Sequence, residues 1–180
     1  MGEITALEWT DINFNQNTIK IDKSAGYIPG IGSYEKDPKT KKGHREIELP
    51  PLAMEKIRKH QLEQKETRLK MGDLWEDHNK VFTQENGRPM FHGTLSKWFS
   101  KWLEASGLPK LKFHGLRHSN ISWLIAEGVD IATVSRRAGH ANIATTMSIY
   151  THALQKKDSE AASKLEKLFT IEEKAASNHS

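Results

Sequence analysis

At 180 residues, with 27 Lys and Arg against 23 Asp and Glu, the chain is long enough for one substantial core and carries a formal charge of only +4. Net charge therefore decides little about a polyanionic partner, and any such case rests on where the basic residues fall. The absence of cysteine excludes disulfides and thiolate metal sites and fits a reducing cytoplasm, no apolar run is long enough to span a membrane, and the opening MGEITALEWTDI lacks the basic start and apolar stretch of a secretory signal.

Residues 2 to 9 read as the end of a helix with Ile4, Leu7 and Trp9 on one face, so the chain is expected to begin inside a folded domain. The turn formers Asn13 to Asn17 precede an alternating stretch, Thr18 to Ile21, and a second alternation runs from Glu46 to Leu49; the two suit strands of a small antiparallel sheet. Between them AGYIPGIGSYEKDP is too rich in Gly and Pro for a regular strand throughout and reads as a loop on the hairpin. Pro50 and Pro51 then open a polar helix that runs to Gly72. Val81 to Thr83 reads as extended, followed by a turn at Asn86-Gly87.

The clearest amphipathic helix carries Leu95, Trp98, Phe99, Trp102 and Leu103, spacing that buries one stripe, and it stops at Gly107; these aromatics are expected in the core. Helices over 113–127 and 130–138 end at Gly128 and Gly139. Asn142 can cap a further helix carrying Ile143, Met147 and Tyr150, and a last one over 154–169 presents Ala161, Leu165, Leu168 and Phe169, to dock on its own domain or on a neighbour. The expected fold is α+β, mainly helical with a small antiparallel sheet, as one domain over 1–170 with a flexible polar tail over 171–180.

Four short segments can carry chemistry: PKT at 38–40, HGLRH at 114–118, AGH at 138–140 and IYTH at 149–152. On a helix His114 and Arg117 lie on one side, so an imidazole and a guanidinium can converge on a phosphate. His140 follows a helix-ending glycine, and Tyr150, ten positions on, can face the same cleft. A phenol with an ordinary pKa of about 10 needs neighbouring cations or a base to act as a nucleophile. Lys39 belongs on or beside a hairpin turn, from which a flexible ammonium reaches a leaving oxygen. Basic clusters at Lys36 to Arg45, Lys56 to His60, Lys110 with Lys112, and Arg136 with Arg137 suit phosphate contacts, although a solvated helix face produces the same runs. His118 and His152 read as structural. His114 and His118 do not make a zincin site, because Gly115 stands where that motif needs its glutamate.

Taken in order, these segments resemble the tyrosine recombinase family of phage integrases, whose catalytic domain runs Arg, Lys, His-x-x-Arg, His or Trp, Tyr; the match covers nearly all of residues 2 to 152. GEITALEWTDI is similar to the segment after the first catalytic arginine, which places Glu3 at the supporting acidic position, and PKT followed by REIELP resembles the hairpin that makes Lys39 the catalytic lysine. The resemblance implies Tyr150 as nucleophile with Arg117, His114 and His140 as the other catalytic residues, and Lys41, Lys42, Arg45, Lys112, Arg136 and Arg137 as DNA contacts. It implies strand cleavage and rejoining through a 3′-phosphotyrosine, on double-stranded DNA with att-like sites, by a cytoplasmic homotetramer with no cofactor or metal and with an accessory directionality factor. His114 is assigned to proton transfer at Tyr150 and His140 to a phosphate oxygen, two roles that exchange without contradiction. The family's first arginine belongs directly before Met1, so this chain alone is expected to be impaired by about 10²- to 10³-fold. A chromosome-dimer resolvase of the same family, or a DNA-binding module without chemistry, are the rival expectations.

Overall fold

The opening helix, α1 (Gly2–Ala6), is short because Leu7 turns extended, and a 3-10 turn at Trp9–Asp11 leads into the first strand. The structure is a computed structural model that describes residues 1–28, 30, 32–36, 43–91 and 93–148. Strands β1 (Ile12–Asn13), β2 (Thr18–Ile21) and β5 (Arg45–Glu48) form an antiparallel sheet in the order β1-β2-β5, with Ile19 opposite both Ile12 and Ile47. The expected pairing of the two alternating stretches is therefore present. Ile12 and Ile19 face inward with Leu7, Met54 and Val81, and Trp9, Phe14, Leu49, Ile57 and Phe82 pack around them.

The intervening stretch departs from the expectation of an irregular loop. Strands β3 (Ser24–Ile28) and β4 (Gly32–Lys36) pair antiparallel as a separate ribbon, Gly26 opposite Tyr34, with Gly30 and Gly32 at positive φ around the bend. Glycine dilutes the alternation that marks a strand, while the ladder needs only backbone; Gly26 moreover has no Cβ because one would meet the Tyr34 ring. The ribbon is tied down by the buried Lys80, whose ammonium pairs with Glu8 at 2.9 Å and with Glu35, while Lys23 holds the other oxygen of Glu8 at 2.8 Å.

Helix α2 (Pro51–Met71) begins on proline and is polar almost throughout, burying only Met54. It is held to the 80–83 segment by side-chain bonds: the Gln64 amide donates to the Lys80 and Val81 carbonyls, and its oxygen accepts from Trp9 Nε1 at 2.7 Å. In α3 (Thr94–Ala105) the expected apolar stripe is narrower than its periodicity. Phe99 and Leu103 are buried, but Trp98 and Trp102 are 58% and 46% exposed and stack on each other, so their assignment to the core is corrected. The helix packs on α4 through Phe99 edge-on to Phe113, a contact that leaves the two tryptophans of the stripe exposed.

The site rests on the last three elements. Helix α4 (Phe113–Ala126) buries Ile121 and Ile125 against Val134 of α5 (Ile131–Ala138), which is capped by Asp130 and stopped by Gly139 in the left-handed conformation. Asn142 caps α6 (Ile143–Ser148) by accepting from the Ala144 amide at 2.9 Å; Thr146, not Ile143 or Met147, is the residue it buries. The expected last helix and polar tail lie outside the described residues. Among the described residues no helix is long and apolar enough to cross a membrane, and no group of three or more metal-binding side chains gathers.

Candidate active site

The first turn of α4 presents His114 outward, with the His118 ring edge-on to it at 4.7 Å one turn later. Arg117, on the same side of the turn but half-buried, reaches across to α5 and donates from Nη2 to the Ala138 carbonyl. That carbonyl lies in the last turn of α5, where helical carbonyls lack helical partners. One guanidinium thus satisfies an orphan acceptor and is itself held in place. Its Nε is buried and has no hydrogen-bond partner among the described residues.

Two residues beyond Ala138, His140 leaves the helix at a fixed angle because Gly139 adopts φ +69° and the His140 amide donates to the Ser135 carbonyl at 3.1 Å. Its ring is held from the other side, Nδ1 lying 2.8 Å from Oγ1 of the fully buried Thr146. That bond fixes the ring plane and leaves Nε2 as the nitrogen not engaged by Thr146.

Beneath this turn sits Arg45 of β5, its side chain only 7% exposed. Nη1 and Nη2 donate to the two Glu3 oxygens at 2.9 and 2.8 Å, and Nε donates to the Arg137 carbonyl at 2.9 Å. A cleft of about 570 Å³ opens beside it, lined by Glu3, Arg45, His114 and Arg117 with apolar residues of α4. An adjoining cleft of about 440 Å³ holds His140 with His44 and Arg136, and Arg45 lines both.

Electrostatics follow from this crowding. Burial, and then the charges of Arg117, His118, His114 and Arg45, hold the His140 pKa below the ordinary histidine value. His114 is lowered in the same direction by burial, His118 and Arg117. For Glu3 burial alone would raise the pKa, but the hydrogen bonds and charge of Arg45 outweigh it and hold the carboxyl below the usual range. Arg117 is lowered by burial against the pull of Glu3 and stays a cation. The result is a fixed cation beside two imidazoles whose neutral form is favoured.

A sequence model described as the phage integrase family matches residues 1–157. The chain belongs to the phage integrase family of tyrosine recombinases. Among curated proteins it is similar to a "Tyrosine recombinase XerC-like" of Caldanaerobacter subterraneus subsp. tengcongensis, 34% identical over 179 residues, covering 93% of this chain and 46% of the relative. It is also similar to the "ICEBs1 integrase" of Bacillus subtilis, 28% identical over 167 residues, covering 93% and 45%. The chain therefore spans about half the length of the curated relatives it matches. Its fold is that of the Tn1549 transposon integrase solved with circular intermediate DNA, TM-score 0.72 at 24% identity over 93% of this chain and 55% of that one. The XerA recombinase superposes with TM-score 0.65 at 21% identity over 89% and 52%.

Within this tyrosine recombinase, the expected site residues divide into four groups. Glu3, His114, Arg117 and His140 lie around the α5 terminus, in the two adjoining clefts. Lys112 and Arg136 are exposed beside them, and Arg137 is half-exposed with one donor committed to the Glu48 carbonyl at 3.0 Å. Arg45, expected on DNA, has a side chain only 7% exposed that donates to Glu3 and to the Gly43 and Arg137 carbonyls. Lys39, Lys41, Lys42 and Tyr150 lie outside the described residues. Sequence reasoning missed Thr146, which carries no signal beyond standing in a helix that follows His140.

The lowered histidine pKa values set a pH dependence. A group protonated more readily in the unfolded chain makes stability fall as pH falls, starting at the unfolded value of about 6.5. Urea midpoints are expected to decline as pH drops below 6.5, and His140→Gln is expected to flatten that decline. Glu3, being held low, adds its own loss only in the carboxylate range further down, so the two windows separate in the same titration.

Proposed function

We propose that the chain is the catalytic region of a site-specific DNA recombinase that integrates or excises a phage or mobile element through a 3′-phosphotyrosine intermediate. The observation that carries the reading is the pairing of Arg117 with the Ala138 carbonyl, which brings the guanidinium of HGLRH beside the AGH turn that orients His140. Arg117, held in place and lining the same cleft as His114, then presents a fixed cation to an anion. Tyr150 follows the end of α6 by two positions and is the nucleophile on this reading.

The Tyr150 oxygen attacks the scissile phosphorus, a bond forms from phosphorus to the phenolic oxygen, and the bond to the 5′ oxygen breaks. Lys39 delivers a proton to that oxygen, which leaves as a 5′-hydroxyl. Arg117, with the arginine that the family carries directly before Met1, stabilises the charge that grows on the phosphoryl oxygens. His114 takes the phenolic proton and His140 positions a phosphate oxygen, or the two exchange; the lowered pKa of each favours the neutral form that accepting a proton requires. Rejoining reverses the step with the 5′-hydroxyl of a partner strand. The phosphotyrosine keeps the bond energy, so no nucleoside triphosphate is consumed. Exposed Lys112 and Arg136, with Lys41 and Lys42, contact the flanking phosphates of double-stranded DNA, and four protomers assemble at the exchange with an accessory factor setting direction.

The test is covalent trapping. The chain extended upstream by an arginine directly before Met1 is incubated with duplex DNA nicked near the cleavage point, and the adduct is digested and mapped. A nucleotide on the peptide carrying Tyr150 is expected, with at least 10²-fold less from the 180-residue chain itself. Salt-sensitive DNA binding with no adduct would make the chain a binding module instead, and mapping the target sites separates an element integrase from a chromosome-dimer resolvase.

A further inference from the structure

Of the basic residues near the site, Arg45 is the one whose surroundings differ most from those of a DNA contact. An arginine has five N–H donors. Four bonds are made here: Nη1 to Glu3 Oε1 and to the Gly43 carbonyl at 3.2 Å, Nη2 to Glu3 Oε2, and Nε to the Arg137 carbonyl. A fork bound at both ends, with a side chain only 7% exposed, presents little face to a DNA phosphate. We propose that Arg45 is a positioning residue: its guanidinium is the platform on which the Ala138-Gly139-His140 turn closes, and it thereby sets where His140 and Arg117 stand. The inference rests on the recombinase reading above.

The α5 terminus meets this platform at Arg137 and Gly139, and Ala138 between them is tied to Arg117. Arg137 gives its carbonyl to Arg45 Nε and returns a second tie to the same strand through the Glu48 carbonyl. Ala138 gives its carbonyl to Arg117. Gly139 lies so close to the guanidinium that a Cβ there would fall 2.7 Å from Nη1 and 2.8 Å from Cζ. The glycine of AGH therefore answers two demands. One is the left-handed φ, which asparagine also tolerates; the other is contact with Arg45, which only the absence of a side chain allows. Glu3 completes the device by fixing the fork from α1 with two parallel bonds, the geometry that makes an arginine rigid where a lysine would pivot. Sheet, first helix and catalytic turn thus meet on one side chain. Because a displacement of about 1 Å in a reacting group can cost 10²-fold in rate, a platform of this kind acts on chemistry without touching DNA.

The experiment compares Arg45→Lys, Arg45→Met, Gly139→Asn and the Arg45→Met/Gly139→Asn double variant. Each is made in the adduct-forming extended chain and, for unfolding and histidine NMR, in the 180-residue chain. Expected for Arg45→Lys and Arg45→Met alike is an adduct rate at least tenfold lower with DNA affinity and its salt slope within twofold of the parent; lysine restores a phosphate contact but cannot restore the fork. The His140 ring titrates at higher pH in Arg45→Met, which removes one of the cations facing it while Arg117, His114 and His118 remain. Gly139→Asn keeps Glu3 and Arg45 intact and is expected to lower the unfolding temperature and the rate, and its cost is expected to shrink when Arg45 is already methionine. A rate loss matched by an equal loss of DNA affinity and rescued by lysine overturns the proposal in favour of a phosphate contact. Unchanged rate and unchanged His140 titration overturn it outright, and so does strict additivity of Arg45→Met and Gly139→Asn in unfolding. Should the parent form no adduct at all, the recombinase reading fails, while the His140 titration and the double-variant coupling still report whether Arg45 positions the turn.

Discussion

Arg117→Lys is expected to lower the single-turnover rate of adduct formation by about 10²- to 10³-fold under conditions where the variant is still folded. Charge is conserved in this substitution, so the loss measures geometry. Arg117 spends Nη2 on the Ala138 carbonyl, and its guanidinium lines the cleft beside His114. A planar fork can bridge carbonyl and phosphate at once; a single ammonium on a flexible stem serves one or the other. Burial makes the change worse, since the site that lowers the Arg117 pKa lowers a lysine from an ordinary value about 2 units closer to neutrality. DNA affinity is expected to move little, because one phosphate among many is involved. Rates on nicked duplex, read alongside binding at two salt concentrations, separate the two quantities. A lysine variant within tenfold of the parent rate would mean that Arg117 contributes charge alone, and would remove the bridging role.

The helical half of this fold was legible because its signals are local. Gly107, Gly128 and Gly139 each take positive φ at the helix ends where they were expected, and Asp130 and Asn142 cap the helices that follow. Signals that depend on a neighbour were not legible. The periodicity of α3 identifies a face but not how much of it α4 covers, and Trp98 and Trp102 fall on the uncovered edge. The β3 and β4 ribbon is made by backbone pairing across glycine-rich sequence that carries almost no side-chain pattern. At the site, HGLRH and AGH were recognisable as motifs, and the structure adds the bond between them through the Ala138 carbonyl. Arg45 shows the limit most clearly: an arginine in a basic run reads the same whether it faces a phosphate or, as here, a carboxylate forty-two positions earlier. Lys39 and Tyr150, outside the described residues, stay with the family pattern and with the trapping experiment.

Ile121→Ala tests whether the fold and the site are one mechanical unit. Ile121 is 2% exposed and packs with Ile125 and Val134 in the cluster that joins α4 to α5. Removing a buried isoleucine side chain to alanine costs about 2 to 5 kcal/mol through lost transfer energy and the cavity left behind. The lower half of that range is expected here, because Leu124, Val129 and Ile131 are only partly buried and can close in. Against a domain stability of about 5 to 15 kcal/mol the loss is large, and urea midpoints read it directly. The more informative consequence lies one turn away. Arg117 precedes Ile121 by four positions on α4 and Ala138 follows Val134 by four on α5, so the helix pair that this cluster clamps is the pair that the Arg117 to Ala138 bond bridges. Under conditions where the variant is still folded, its adduct rate is expected to fall as well, while Ile121→Val, costing about 0.5 to 1.5 kcal/mol, keeps both stability and rate near the parent. An Ile121→Ala protein with a lowered midpoint and a parental rate would show that the Arg117 to Ala138 bridge holds its geometry without the core beneath it.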